Sequence, residues 1–271
     1  MKEYDKETLE KVQQLELEIL KDFVDICQQN DIPYFGIAGT GIGALRHQGF
    51  IPWDDDIDIS MPRPDYDRMI QMIRNKETDL QVRAFELGNF EFPYAKLINP
   101  NLKVKLEYST SKASYLWVDI FPIDGLPDSL KETEALYKKV HYLLMSLKIA
   151  QAKPGTGKSF VKKIIKLFVQ PLLNLYGEKR LANHLKSLAL GTPYASAKWV
   201  GGVTWGLYGI GERVPKNEFE KTVLLEFEGL QLPTFSCWEM YLKGMYGDYM
   251  KLPPEEKRLT HEMEVHRVEK N

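Results

Sequence analysis

The chain of 271 residues is long enough to bury a sizeable core, as one large domain or a core with an appendage. With 44% hydrophobic and 27% charged residues it is neither collagen-like nor wholly disordered, and a formal net charge of -2 offers no global basic field for nucleic acid. Its two cysteines, Cys27 and Cys237, lie far apart with no CxxC partner, which points to buried thiols in a reducing compartment rather than a disulfide or zinc site. The charged N-terminal residues lack the apolar stretch of a secretory signal, and no apolar run reaches the length of a bilayer. The expected location is cytoplasmic, at most peripheral on the inner face of the cell membrane.

Between Lys6 and Gln29, Leu9, Val12, Leu15, Ile19, Phe23 and Ile26 recur at helical spacing, so an amphipathic helix is expected there. Asn30-Asp31-Ile32-Pro33 ends it. A short strand over residues 34–38 then runs into Gly39-Thr40-Gly41, and residues 43–47 read as one or two helical turns. In Asp56-Ile57-Asp58-Ile59 acidic and apolar residues alternate, which on a strand puts both carboxylates on one face. Pro62-Arg63-Pro64 breaks that strand and opens a helix to about Asn75. Further strands are expected at residues 80–86, 94–98, 103–108 and 115–120. Residues 129–190 read as helices alone, followed by a strand at 222–227, a helix at 236–246 and a fraying end from 262. The class is α+β: a mixed sheet flanked by helices, with a helical insertion or appendage. Residues 1–128 form the expected catalytic core, 129–190 a helical region for membrane or acceptor contact, and 191–271 a part completing the cleft.

The acidic run carries the chemistry. Two carboxylates on alternate strand positions aim at one point above the sheet, a half-site for Mg²⁺ or Mn²⁺, hard cations that take oxygen ligands and retain substrate phosphates. A solvated edge strand is the plainer reading, but Asp is depleted in strands, and four aspartates within five positions repel one another unless a cation compensates them. Upstream, Gly39-Thr40-Gly41-Ile42-Gly43 lies between a strand and a helix, where backbone N–H groups can cradle phosphate. Arg46 follows one turn on, as a phosphate contact or a surface ion pair. Gly-Thr followed by D-h-D-h (h apolar) resembles the nucleotidyltransferase fold, and that resemblance implies a third carboxylate on a neighbouring strand. Asp119 in Trp117-Val118-Asp119-Ile120-Phe121 is the first candidate, since an unpaired charge in so apolar a strand is costly. Asp124, in an apparent turn, is the second.

Longer blocks resemble the LicD family. They are Gly39-Thr40, Gly43-Ala44-Leu45-Arg46, His47-Gln48-Gly49-Phe50-Ile51-Pro52-Trp53-Asp54-Asp55-Asp56-Ile57-Asp58-Ile59 and Trp117-Val118-Asp119-Ile120-Phe121-Pro122. Val214-Pro215-Lys216, Phe227-Glu228-Gly229, Tyr246-Gly247-Asp248-Tyr249 and Arg258-Leu259-Thr260-His261 continue them. Gly41-Ile42 departs from a pair of leucines common in the family. The resemblance implies a nucleotidyltransferase-like fold and transfer of phosphocholine from CDP-choline to a sugar hydroxyl of a lipid-linked glycan, such as a teichoic acid or lipopolysaccharide precursor, with release of CMP. The more distant fukutin-related proteins imply ribitol phosphate as another cargo. On this reading Asp56, Asp58 and Asp119 are the metal-binding catalytic carboxylates, with Asp119 an alternative proton acceptor. Gly39, Thr40, Arg46 and His261 face nucleotide or phosphate.

Two further stretches admit two readings each. Trp199, Trp205 and Tyr208, in a segment rich in aromatics and glycine, either wall a cage for a quaternary ammonium or pack a turn-rich core. Lys153, Lys158, Lys162, Lys163, Lys166, Lys179 and Arg180, with apolar Phe160, Ile164, Leu167 and Phe168 at helical spacing, make either a membrane-surface helix or a core helix with a solvated basic face. Gly155-Thr156-Gly157-Lys158-Ser159 is not a P-loop, because Ala152 stands where the first glycine belongs. Rival functions are transfer of another alcohol phosphate such as ribitol or glycerol phosphate, nucleotidyl transfer from an NTP, and a glycan-binding or assembly module without activity.

Overall fold

A computed structural model describes residues 6–75, 78–89, 93–106, 114–152, 160–258, 260 and 263–268, with backbone alone at 106, 114, 160–167 and 257. The first half runs α1 (Lys6–Gln29), β1 (Phe35–Gly36), α2 (Ala38–His47), β2 (Asp58–Pro62), α3 (Arg63–Asn75), β3 (Gln81–Ala84), β4 (Ala95–Leu106) and β5 (Ser114–Leu126). Three helices follow: α4 (Leu130–Gln151), α5 (Phe160–Tyr176) and α6 (Glu178–Ala189). The last part supplies β6 (Trp199–Gly201), β7 (Val214–Pro215), α7 (Lys216–Phe219), β8 (Thr222–Phe227), β9 (Leu230–Phe235), α8 (Trp238–Tyr246) and β10 (Met263–Arg267).

These elements make the expected α+β arrangement. Strands β1, β2, β5, β4 and β10 lie side by side in that order, with β3 also on β4 and the β6–β7 pair on the far end of β5. All pairings are antiparallel except β2–β5. The apolar stripe of α1 (Val12, Leu15, Ile19, Phe23) and the inner face of α3 (Tyr66, Met69, Ile70, Ile73) pack with sheet residues Ile59, Leu97, Val118 and Ile120 into one core. A second core joins α2 and α8 to β1 and β9, and a third joins α4 and α6 to Leu126 of β5. No helix of the described residues is long and apolar enough to cross a membrane. Cys27 is buried and Cys237 half-buried, both unbridged; burial pushes their thiols up to about 12 and about 11.

Several local expectations change. The strands expected at 94–98 and 103–108 are one strand, β4, whose pairing with β5 shifts register between Ile98 and Lys103. Pro100 lies in that interval and has no N–H to give the ladder. Strand β5 continues past residue 120 through Asp124, because β2 and then β6 pair with the segment that looked like a turn. Strand β2 starts at Asp58, so Asp56 precedes the ladder. The glycine segment 39–43 is no loop but part of α2. The sequence reading passed over β9, which contains Pro233, and took β10 for a fraying end. Met263 and Val265 alternate inward there, too short a pattern to weigh by itself.

Candidate active site

The acidic run is presented by a loop fastened at both ends. Strands β8 and β9 are joined by Glu228-Gly229, both at positive φ (52° and 77°), the pair a tight hairpin of type I′ requires. That hairpin clamps the entry to the run: Glu228 N–H donates to Gln48 O (2.9 Å), and Phe50 N–H donates to the Glu228 carboxylate (3.1 Å). Further along, Gln13 of α1 donates to Asp54 O (2.7 Å), and Asp119 N–H donates to Ile57 O (2.9 Å). The Thr40 hydroxyl accepts from Asp58 N–H at 2.8 Å. The backbone through the run is therefore held by α1, α2, β5 and the β8–β9 turn together.

This scaffold brings Asp56, Asp58 and Asp119 to one point. Each offers a carboxylate oxygen, and the three oxygens lie within 4.8 Å of one another. Asp58 and Asp119 are register partners across the parallel β2–β5 pair, which is the neighbouring-strand carboxylate expected from the sequence. Burial pushes the Asp58 carboxyl well above the usual range, reinforced by Asp56, Asp119 and Asp54 and opposed by Lys96. Lys96, opposite Asp119 on β4, lies 3.1 Å from one Asp119 oxygen and 3.8 Å above the Trp117 ring. Trp117 Nε1–H donates to the other oxygen at 3.0 Å. Three converging carboxylates with one ammonium beside them suit a hard divalent cation.

The remaining sequence candidates fall in several places. Gly39 lies in the first turn of α2, where a β-carbon would collide with the Asp54 carboxylate; the glycine lets that carboxylate pack against the helix. Ala38, just before it, takes φ 48°, a left-handed conformation costly for alanine, at the end of α2 nearest Asp58. Arg46 sits at the other end of α2 and donates to Tyr249 O (2.9 Å). His261 lies outside the described residues, but Arg258 of the same block stacks 4.4 Å over Trp53. Asp124 is held in a buried pair with Arg63, at 2.6 and 3.2 Å, and does not join the cluster.

A cavity of about 300 Å³ opens beside Asp58. Tyr94, Phe121, Trp205, Tyr208 and Tyr246 line it, so two of the three aromatic candidates reach the site. Trp205 is anchored by Nε1–H donating to Pro122 O (2.8 Å) and packs on Phe121 at 4.5 Å between ring centroids. Trp199 is not among the lining residues; its ring faces the Arg213 guanidinium at 3.6 Å.

Sequence reasoning missed three charged groups. Lys96 was invisible without the β4–β5 register. Glu212 lines the cavity, fully buried, in a stretch read only for its aromatics. Glu16 did leave a signal, a carboxylate inside the apolar stripe of α1. Its side chain is fully buried, and neither carboxylate oxygen has a hydrogen-bond partner among the described residues. Burial drives its proton affinity well up, and Asp56, Asp55, Asp119 and Asp54 add to the effect.

The family profile described as LicD/FKTN/FKRP, nucleotidyltransferase domain, matches residues 31–154, the part of the chain that holds all three clustered aspartates. Over 262 residues the chain is 30% identical to the lipopolysaccharide cholinephosphotransferase LicD of Haemophilus influenzae, covering 95% of this chain and 97% of that protein. An uncharacterized protein of Rickettsia prowazekii is 27% identical over 135 residues, about half of each chain (49% and 47%). The shared domain contains the acidic run, its partner on β5 and the helix before them, and the similarity extends over nearly the whole length. The chain belongs to the LicD family.

Proposed function

We propose that this protein transfers phosphocholine from CDP-choline to a sugar hydroxyl of a lipid-linked glycan, releasing CMP, with a divalent cation at Asp56, Asp58 and Asp119. The observation that carries the reading is the adjacency of two features: the three-carboxylate cluster and an aromatic cavity that begins at Asp58. One suits a diphosphate with its counter-ion, the other a quaternary ammonium on the same donor. The Haemophilus relative, by its name a lipopolysaccharide cholinephosphotransferase, supports the cargo and the class of acceptor.

In this mechanism Asp56, Asp58 and Asp119 would hold Mg²⁺ or Mn²⁺, whose chemistry there would be neutralisation of charge on the diphosphate and the departing CMP. Thr40 fixes the Asp58 backbone, and Trp117 with Lys96 orients the Asp119 carboxylate, so the cluster is preorganised. The first turn of α2 presents backbone N–H groups beside Asp58, a site for phosphate oxygens. The aromatic walls exclude water from the alcohol end of the donor. The acceptor oxygen attacks phosphorus, its proton leaves to a neighbouring base, and the bond to CMP breaks.

The deciding experiment offers purified protein Mg²⁺ and, in turn, CDP-choline, CDP-ribitol, CDP-glycerol or CTP, each with a glycolipid acceptor. Release of CMP from CDP-choline, dependent on acceptor and abolished by EDTA, is the expected result. Pyrophosphate from CTP would establish nucleotidyl transfer instead, and turnover of a different CDP-alcohol would reassign the cargo.

A further inference from the structure

The cavity beside Asp58 holds a buried acid that the transfer chemistry above does not use. Glu212 follows the aromatic segment and lines the cavity with no solvent exposure. One of its oxygens, Oε1, accepts from Tyr208 N–H at 2.9 Å. The other, Oε2, is buried and has no hydrogen-bond partner among the described residues. Gly202 marks where Oε2 sits: a β-carbon there would lie 2.8 Å from Oε2 and 2.6 Å from the Trp205 ring, so the free oxygen is beside the indole. Nearby Tyr137 and Tyr241 are also buried, and both feel the Glu212 charge before that of any other group. Arg213 turns away, stacked on Trp199 and donating to Asp128 O. Lys148, the basic residue on the cavity wall, is exposed to solvent.

A buried carboxylate oxygen without a donor is costly unless something in the cavity compensates it. A bound water would satisfy the oxygen but would leave five aromatic walls unexplained. A cation that cannot donate hydrogen bonds and is surrounded by methyl groups meets both requirements, because rings supply their negative faces and the acid supplies the charge. We propose that Glu212 is the counter-charge for a quaternary ammonium, held between Trp205, Tyr208 and Tyr246 beside Asp58. This assignment rests on the phosphocholine reading and gives it a determinant of cargo choice: the protein selects a positively charged alcohol by Glu212 and its methyl shell by the rings.

Two measurements test it. First, Trp fluorescence of the wild-type protein is titrated with choline and with its uncharged carbon analogue, 3,3-dimethylbutanol. Quenching by the cation at an affinity about tenfold or more above the neutral compound is expected. Equal response, or none, overturns the site whether or not the protein transfers anything. Second, kcat/KM is compared for CDP-choline and for the CDP ester of 3,3-dimethylbutanol in wild-type and Glu212→Gln protein. The preference for the charged donor should collapse by about tenfold or more in the variant, with Mg²⁺ affinity unchanged. A preserved preference overturns the role of Glu212 while leaving phosphocholine transfer standing. Cation binding without turnover of either donor would refute the transfer reading and keep the site.

Discussion

Asp58 and Asp119 face each other across the parallel β2–β5 pair, and the Lys96 ammonium, 3.1 Å from Asp119, opposes the charge they share with Asp56. Burial and the neighbouring aspartates thus both push the Asp58 carboxyl up, and Lys96 opposes them. On the proposed mechanism, Asp58→Asn and Asp119→Asn should each lower the rate of CMP release by at least about 100-fold. Asp58→Asn should raise, not lower, the melting temperature in EDTA, because burial and like-charge repulsion on that carboxylate are relieved. Calorimetric Mg²⁺ titration and a thermal scan check the two halves separately.

The pH dependence of stability follows from the buried acids. Glu16 and Asp58 are pushed well above their usual ranges and Glu212 to about 7, in each case first by burial. A carboxyl with a raised folded pKa binds more protons folded than unfolded between the two values. The stability it contributes is therefore intact below the unfolded value near 4.5 and is lost as pH rises toward the folded value. In EDTA, Glu16→Gln should melt with the wild type near pH ~5 and above it by pH ~8, by about 2–4 °C for each kcal/mol relieved. Scanning calorimetry across that range decides, and parallel curves would show that Glu16 carries no such penalty.

Arg63 and Asp124 predict the opposite response to mutation. Their pair is almost wholly buried, with Glu86 and Asp67 also near the guanidinium. Removing one partner strands the other, so Arg63→Met or Asp124→Leu alone should cost about 3–5 kcal/mol. The double substitution Arg63→Met with Asp124→Leu should recover much of the loss. Urea titration of the four proteins closes the cycle.

Helix α5 leaves Phe168, Leu172, Leu175 and Tyr176 exposed, with Lys179 and Arg180 close behind on α6. The side chains of Lys162, Lys163 and Lys166 lie outside the described residues, as does the segment 153–159. An apolar face of this kind is suited to a lipid surface near the acceptor. Leu172→Glu with Leu175→Glu should abolish flotation with anionic vesicles and slow transfer to a lipid-linked acceptor, while a water-soluble sugar acceptor is used at the wild-type rate.

Much of this was legible in the sequence wherever one short pattern decided the matter. The stripe of α1, the alternation at Asp56-Ile57-Asp58 and the lone acid in the apolar strand at Asp119 each depend on spacing within a few residues. What depended on pairing between distant segments could not be read. Lys96 gains its meaning from the strand opposite, Thr40 from a bond to a backbone 18 residues away, and Glu212 from the walls around it. The turn read at Asp124 and the fraying end read at β10 fail for the same reason: each segment is a strand because a neighbour holds it there.

The parallel pairing also sets a schedule. Asp58 leaves the ribosome 61 residues (119 − 58) ahead of Asp119, an interval of roughly 3–12 s at usual rates of synthesis. Through that interval the acidic run exists as a nascent polyanion without its partner from β5. The cluster cannot form from the run alone, because Asp119 arrives only when α3, β3 and β4 have been made and β5 has docked. The three-carboxylate cluster is thus a late feature of folding, completed only with closure of the sheet.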